Sequence, residues 1–207
     1  MKKAFYGFLF LLFAFAPIGI ISTFFLSSCK DISPDNNKSK SYFSINDELF
    51  TITQGGLVNL GSASDESKHP GFMHVVLFTT DGINFSEDNT GELLLKGEGS
   101  LLGIVVFNDT EGILDSGDYY INLRPPYMIH DIGVGFYSLD FKEENVSGPY
   151  FEYEGVALLS GKMSIKNNPK DKEVILELIS EDGIQITANY YGELQALQSS
   201  AKPSYFN

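Results

Sequence analysis

The chain has 207 residues, 27 acidic and 14 basic, for a formal net charge of −13. A surface of that sign repels phosphate backbones and anionic head groups, which weighs against any nucleic-acid partner. The single cysteine excludes an intrachain disulfide and every metal or redox motif built on paired thiols.

Residues 1–28 fall into three parts. Met1-Lys2-Lys3 carries positive charge, Ala4 to Leu26 is almost wholly apolar, and Ser27-Ser28 supplies small residues before Cys29. That order predicts a bacterial export signal. "LSSC" resembles a lipobox, the cleavage motif of bacterial lipoproteins, and the resemblance implies cleavage between Ser28 and Cys29 with a diacylglycerol on the Cys29 sulfur. The lone thiol is then an attachment point, and each buried lipid methylene contributes about 0.8 kcal/mol of membrane affinity. The alternative is an uncleaved spanning helix, since roughly 20 apolar residues suffice. Pro17 and Gly19 within the run, and the polar "KDISPDNNKSKS" beyond it, favour cleavage. Loss of Lys2 and Lys3 with the signal leaves 12 basic against 27 acidic residues, a net charge of −15.

Residues 29–41 are nearly all polar and have too little apolar surface to fold, so the lipidated cysteine is expected to open a flexible tether. From 42 to 197, short runs of Val, Ile, Phe, Tyr and Leu alternate with Gly, Asp and Asn turns. No helical period interrupts them, which is the pattern of an all-β domain. "SYFSI" and "ELFTIT" flank "ND" as an opening hairpin; "MHVVLFTTDG", "GELLLKG", "SLLGIVVFND", "GDYYINL" and "IGVGFYSLDF" follow as strands. The continuous run Leu101 to Phe107 predicts a strand covered on both faces. "GVALLSGKMSIK", "EVILELIS" and "GIQITANYYGEL" read as a closing meander, with Ile184, Ile186, Ala188 and Tyr190 on one face and Gln185, Thr187, Asn189 and Tyr191 on the other. The expected architecture is an antiparallel β-sandwich of about nine or ten strands, with a closed calycin-like β-barrel as the alternative. Residues 198–207 read as a polar tail.

No arrangement of reactive residues defines a catalytic centre. His69, His74 and His130 share no ligand spacing, and zinc needs three or four converging donors. "LLSGK" and "VSGPY" lack the frame of a nucleophilic serine turn. No pair among the 27 acids is singled out for glycoside hydrolysis. Glu87, Asp88 and Asn89 in "SEDNTGE" are hard oxygen donors of the kind calcium takes, without the EF-hand frame; a solvated hairpin loop explains the same letters. In "DYYINL" and "ANYYGEL" adjacent tyrosines point to opposite faces, so one of each pair is core and the other is exposed, paired or free for a ligand. Loops carry function most often, which makes Tyr127, His130 and Asp131 of "RPPYMIHDIG" the candidate ligand residues. No cofactor is expected.

"CKDISPDN" at the tether, "LLLKGEGSLLGIVVFND" followed by "ILDSGDYYINL", and the closing "VILELISEDGIQITANYYGEL" make the chain similar to the small uncharacterised lipoproteins abundant in Bacteroidota. The resemblance implies an exported β domain on the outer membrane and transfers no catalytic or ligand residue. Lys30-Asp31 matches in part the acidic surface-export signal of that phylum, which Ile32-Ser33 does not continue; cell-surface display is the expectation. The expected function is a non-catalytic binding or adhesion module, anchored in the membrane by its lipid and facing a glycan or protein ligand. A carrier of a small apolar ligand inside a barrel is the alternative, with a hydrolase behind it.

Overall fold

Short polar residues and glycines at the reversals determine where each strand ends. The computed structural model describes residues 41–63, 71–89, 93–122, 124, 126–142, 156–168 and 171–199. The chain divides into two units, Met1–Asn36 and Asn37–Asn207, and all described residues belong to the second. The expected export signal, Ser28, Cys29 and the expected tether as far as Lys40 lie outside the described residues, as do His69 and positions 200–207 of the expected tail.

Strands β1 (Tyr42–Ile45) and β2 (Glu48–Thr51) form the expected opening hairpin. Asn46 and Asp47 turn it with φ of 50° and 68°, which suits a two-residue type I′ turn because Asn and Asp tolerate the left-handed region. After them come β3 (Gln54–Ser62), β4 (Phe72–Thr79), β5 (Ile83–Glu87) and the 16-residue β6 (Leu93–Asn108). The chain continues through β7 (Gly117–Ile121), β8 (Asp131–Lys142), β9 (Leu158–Asn167), β10 (Lys172–Ser180), β11 (Gln185–Gly192) and β12 (Gln195–Gln198).

The protein is all-β, a single curled mixed sheet that forms a half-barrel. Its strand order is β12-β3-β4-β6-β8-β7-β9-β10-β11-β1-β2, with β5 paired to β6 off this path. Three expectations are corrected. The sheet is not purely antiparallel, because β12 runs parallel to β3 and β7 parallel to β8. "GELLLKG" and "SLLGIVVFND" are one strand, β6, whose first half pairs with β5 and whose second half lies between β4 and β8. Gln198, placed in the tail, ends β12, and the Ser199 amide donates to the Asn59 carbonyl at 3.2 Å.

Curling brings distant strands face to face. Phe78 of β4 and Tyr190 of β11 meet with ring centroids 5.1 Å apart, although several strands separate them along the sheet. At the corner between β2 and β3 consecutive amides donate to opposite sides, Ile52 to the Ser41 carbonyl and Thr53 to the Thr79 carbonyl, each at 2.9 Å. One core cluster therefore draws on both halves, including Leu102, Ile104, Met163, Val174, Leu176 and Ile186. Each such side chain contributes roughly 1.5–3 kcal/mol on full burial.

A second cluster lies on the opposite face of β3, β4 and β6. Val75, Leu77, Leu101 and Val105 there meet Ile83 of β5 and Leu93 and Leu95 from the first half of β6. Gly97 lets that hairpin cross: its φ is 101°, and a Cβ there would stand 2.0 Å from the Gly82 carbonyl oxygen. Leu101 to Phe107 is thus buried on both faces, as its unbroken apolar run predicts.

Candidate functional site

The loop that leads into β8 brings Tyr127, His130 and Asp131 together and uses them to hold its own shape. The Asp131 carboxylate accepts from the Met128 amide at 2.6 Å and from Asn122 Nδ2 at 2.7 Å. Tyr127 stacks on Phe107 with centroids 4.5 Å apart and planes 7° from parallel, and burial raises its hydroxyl pKa. His130 has φ of 68°, donates its amide to the Phe107 carbonyl at 2.8 Å, and accepts from the Tyr120 amide at 3.0 Å. Its ring lies 4.6 Å from that of Tyr119.

Beneath that loop is a buried polar network that the sequence reading left without a role. His74 on β4, Asn108 at the end of β6 and Tyr119 on β7 are all fully buried. The Gly112 amide donates to His74 Nε2 at 2.9 Å, which leaves the neutral ring's proton on Nδ1. Asn108 Nδ2 lies 3.3 Å from His74 Nδ1 and donates to the Ile113 carbonyl at 3.1 Å. The Tyr119 hydroxyl donates to Asn108 Oδ1 and lies 2.9 Å from the Asp115 carbonyl oxygen. Burial lowers the His74 pKa, against smaller opposing effects of the Phe72 carbonyl, Asp115 and Glu111, and burial likewise raises that of Tyr119. His74 Nε2 and the amide of Asn108 pin the 109–116 loop onto the sheet. Such groups are costly to bury unpaired, so they act here as a latch.

Glu87 ends β5, and Asp88 and Asn89 follow it; all three are exposed, while Thr90 to Glu92 lie outside the described residues. Among the described residues no three His, Cys, Asp or Glu side chains form a metal-holding group.

The extended accessible surface with a chemistry of its own is the outer face of β1, β7, β9, β10 and β11. Register aligns Tyr120, Lys162, Glu177, Thr187 and Ser44 in one row across these strands. The next row is Asp118, Ser164, Ile175, Asn189 and Tyr42. Every one of these residues is exposed or half-exposed, and Tyr120 is 55 % exposed. The opposite side of the same strands is core: Tyr119 and Tyr190 point inward while Tyr120 and Tyr191 point outward, as the adjacent tyrosines predict. The Ser44 and Thr187 hydroxyls bond each other at 2.8 Å, and the Ser164 hydroxyl donates to Asp118. Lys166 pairs with Glu173 at 3.3 Å, and Lys162 stands directly opposite Glu177. A hydrogen bond to the Asp171 carboxylate, more than burial, raises the Tyr191 hydroxyl pKa. In a chain of net charge −13, this face sets Lys162 and Lys166 against Asp118, Glu173 and Glu177 and so keeps one negative charge in excess. The signal for it lay in neutral polar residues alternating with apolar ones, most plainly in "QITANYY".

Comparison with protein families, with curated proteins and with solved structures finds no match.

Proposed function

We propose that this chain is an outer-membrane lipoprotein, displayed at the cell surface, that binds a ligand without turning it over. Cys29 carries the lipid, residues 30–41 space the domain from the head groups, and the open face of β1, β7, β9, β10 and β11 meets the ligand. One observation carries the reading: a nearly neutral, solvent-facing set of hydroxyls, amides and tyrosines on an otherwise acidic protein. Tyrosine offers rigid amphipathic contact area at low entropic cost, and Ser, Thr and Asn offer adaptable hydrogen bonds; binding surfaces are commonly built from this mixture. Engagement of His74, Asn108 and Tyr119 in a buried latch supports a non-catalytic role, since no accessible acid–base pair is left among them. Contact between Phe78 and Tyr190 across the interior supports a filled sandwich over a barrel that carries a small apolar ligand.

Two measurements test this. Incorporation of a fatty-acid probe into wild type, and its loss in Cys29→Ser, is the expected result for the anchor; labelling that survives the substitution overturns it. For the face, full-length protein in liposomes is expected to retain material from cell-surface extracts, and Tyr42→Ala/Tyr120→Ala to lose it. Equal retention by the two, or none by either, overturns the binding role.

A further inference from the structure

We propose that residues 109–112 form a flap that lifts from the sheet when His74 takes up a proton on Nε2. Asp109, Thr110, Glu111 and Gly112 are exposed, yet the imidazole they cover is fully buried. The flap shields His74 without burying an apolar side chain of its own, and segments of that kind lie at the low end of local stability. The contacts that hold it are polar. Gly112 donates its amide to His74 Nε2 at 2.9 Å, Asn59 Nδ2 donates to Glu111 at 3.2 Å, and the Asp109 amide donates to Asp115 at 3.2 Å. The next two residues are held more firmly. The Ile113 carbonyl accepts from Asn108 Nδ2, and Leu114 is fully buried in the core with its carbonyl bonded by Asn167 Nδ2 and Lys172 Nζ. Ile113 and Leu114 thus form a fixed hinge.

A neutral imidazole accepts the Gly112 amide only through an unprotonated Nε2. A proton there turns the acceptor into a donor, so two N–H groups face each other and a charge stands in a buried site. Around the ring stand Asn59 and Val106, opposite it on β3 and β6, the Phe72 carbonyl on its own strand, Asn108, and the Glu111 and Asp115 carboxylates of the loop. Tyr119 of β7 joins through Asn108, its hydroxyl kept neutral by burial, and His130 packs on the Tyr119 ring. The two carboxylates favour the imidazolium, but burial outweighs them and holds the ring's pKa below 6.5. Lifting the flap lets water reach the ring and removes that penalty. The closed flap has its full stability above pH 6.5 and loses it as pH falls towards the lowered value, by up to about tenfold in the opening constant per pH unit. Opening bares His74 Nε2 while the strands stay paired.

Hydrogen exchange at the Gly112 amide of the full-length protein in detergent tests this, with protection taken relative to an unstructured peptide at the same pH. Protection at Gly112 is expected to be level from about pH 8 to 6.5 and then to fall by up to about tenfold per pH unit. It should lie well below that of the β10 amides and ignore low urea, which lowers β10 protection, because a local opening exposes little surface. His74→Gln keeps an acceptor for Gly112 and loses the titration, so its Gly112 protection should stay level throughout. Level protection in wild type overturns the proposal, as does a Gly112 amide as protected and as urea-sensitive as β10, which would open only when the whole domain unfolds. A fall that survives in His74→Gln belongs to His130 or a carboxylate and overturns it too. Should His74→Gln not fold, imidazole nitrogen-15 shifts of the wild type decide. Nε2 must be unprotonated at neutral pH and take up its proton where the fall at Gly112 levels off; a neutral ring that carries its proton on Nε2 overturns the proposal.

Discussion

On β6, neighbouring Leu101 and Leu102 are both fully buried, one in each core cluster; on β10, Leu176 is fully buried while Glu177 beside it is exposed. The first strand belongs to the half of the sheet that the β5–β6 hairpin covers, and the second to the half whose outer face meets water. Both halves obey the same alternation of side chains across a strand. They differ in what lies on the far side, and that difference separates strands buried on both faces from strands with one face left to water.

One substitution made in each half tests the contrast most severely. Val105→Asp places a carboxylate in the covered cluster, where an unpaired charge costs several kcal/mol against the roughly 5–15 kcal/mol that holds a domain together. Its cooperative urea transition should disappear. Thr187→Asp on the open face meets Glu177 across the strands and loses the bond to Ser44, yet should cost only about 1–2 kcal/mol and keep a cooperative transition; loss of the transition in both variants would show that the halves are not distinct. Next in size, Gly97→Ala forces φ of 101° on a residue with a Cβ, a cost of about 1–3 kcal/mol from conformation alone. Contact with the Gly82 carbonyl adds to it. Hydrogen exchange should accelerate in β5 and the first half of β6 and stay unchanged in β10 and β11; uniform acceleration would mean that the hairpin is not a separate cover.

The latch comes third. Asn108→Ala removes one of the two acceptors of the Tyr119 hydroxyl and the donor to the Ile113 carbonyl, and should cost about 1–3 kcal/mol. The pH response has a definite sign. Burial holds His74 below its ordinary value of 6.5, so at pH values between the lowered pKa and 6.5 the unfolded chain binds a proton that the folded chain refuses. Stability therefore falls as pH drops below 6.5, until the folded pKa is reached. Denaturation midpoints across that range should fall less steeply in His74→Gln, which keeps an acceptor for the Gly112 amide; an unchanged slope would assign the effect elsewhere. The smallest expected effect is that of Lys166→Ala, which removes an ion pair whose side chains are 65 % and 32 % exposed. A double-mutant cycle with Glu173→Ala should give about 0.5 kcal/mol or less.

Much of the strand pattern was legible because its causes are local. Asn46-Asp47 marked a two-residue reversal, "EDG" marked the turn between β10 and β11, and the opposite facing of the two members in each Tyr-Tyr pair followed from alternation. The parallel pairings, strand β12 and the union of two apolar runs in β6 were not legible, since each depends on which strands pair and not on the local pattern. At the candidate site, Tyr127, His130 and Asp131 were identified as one loop, but only their contacts with Phe107, Tyr119, Asn122 and Met128 show that they hold it in place. His74 drew attention only as a residue without a ligand motif, because its partners Asn108 and Gly112 lie more than thirty positions away.

By itself, then, the order of residues determined which side of each strand is apolar, where the chain reverses, and how acidic the whole must be. These depend on side-chain solubility and on turn geometry within a few residues. The tertiary structure alone decided which apolar sides share a core, which face the β5–β6 hairpin covers, and which rows of Tyr, Thr, Ser and Asn line up in the open. Those outcomes depend on sheet curl and on register between strands, which no single strand contains.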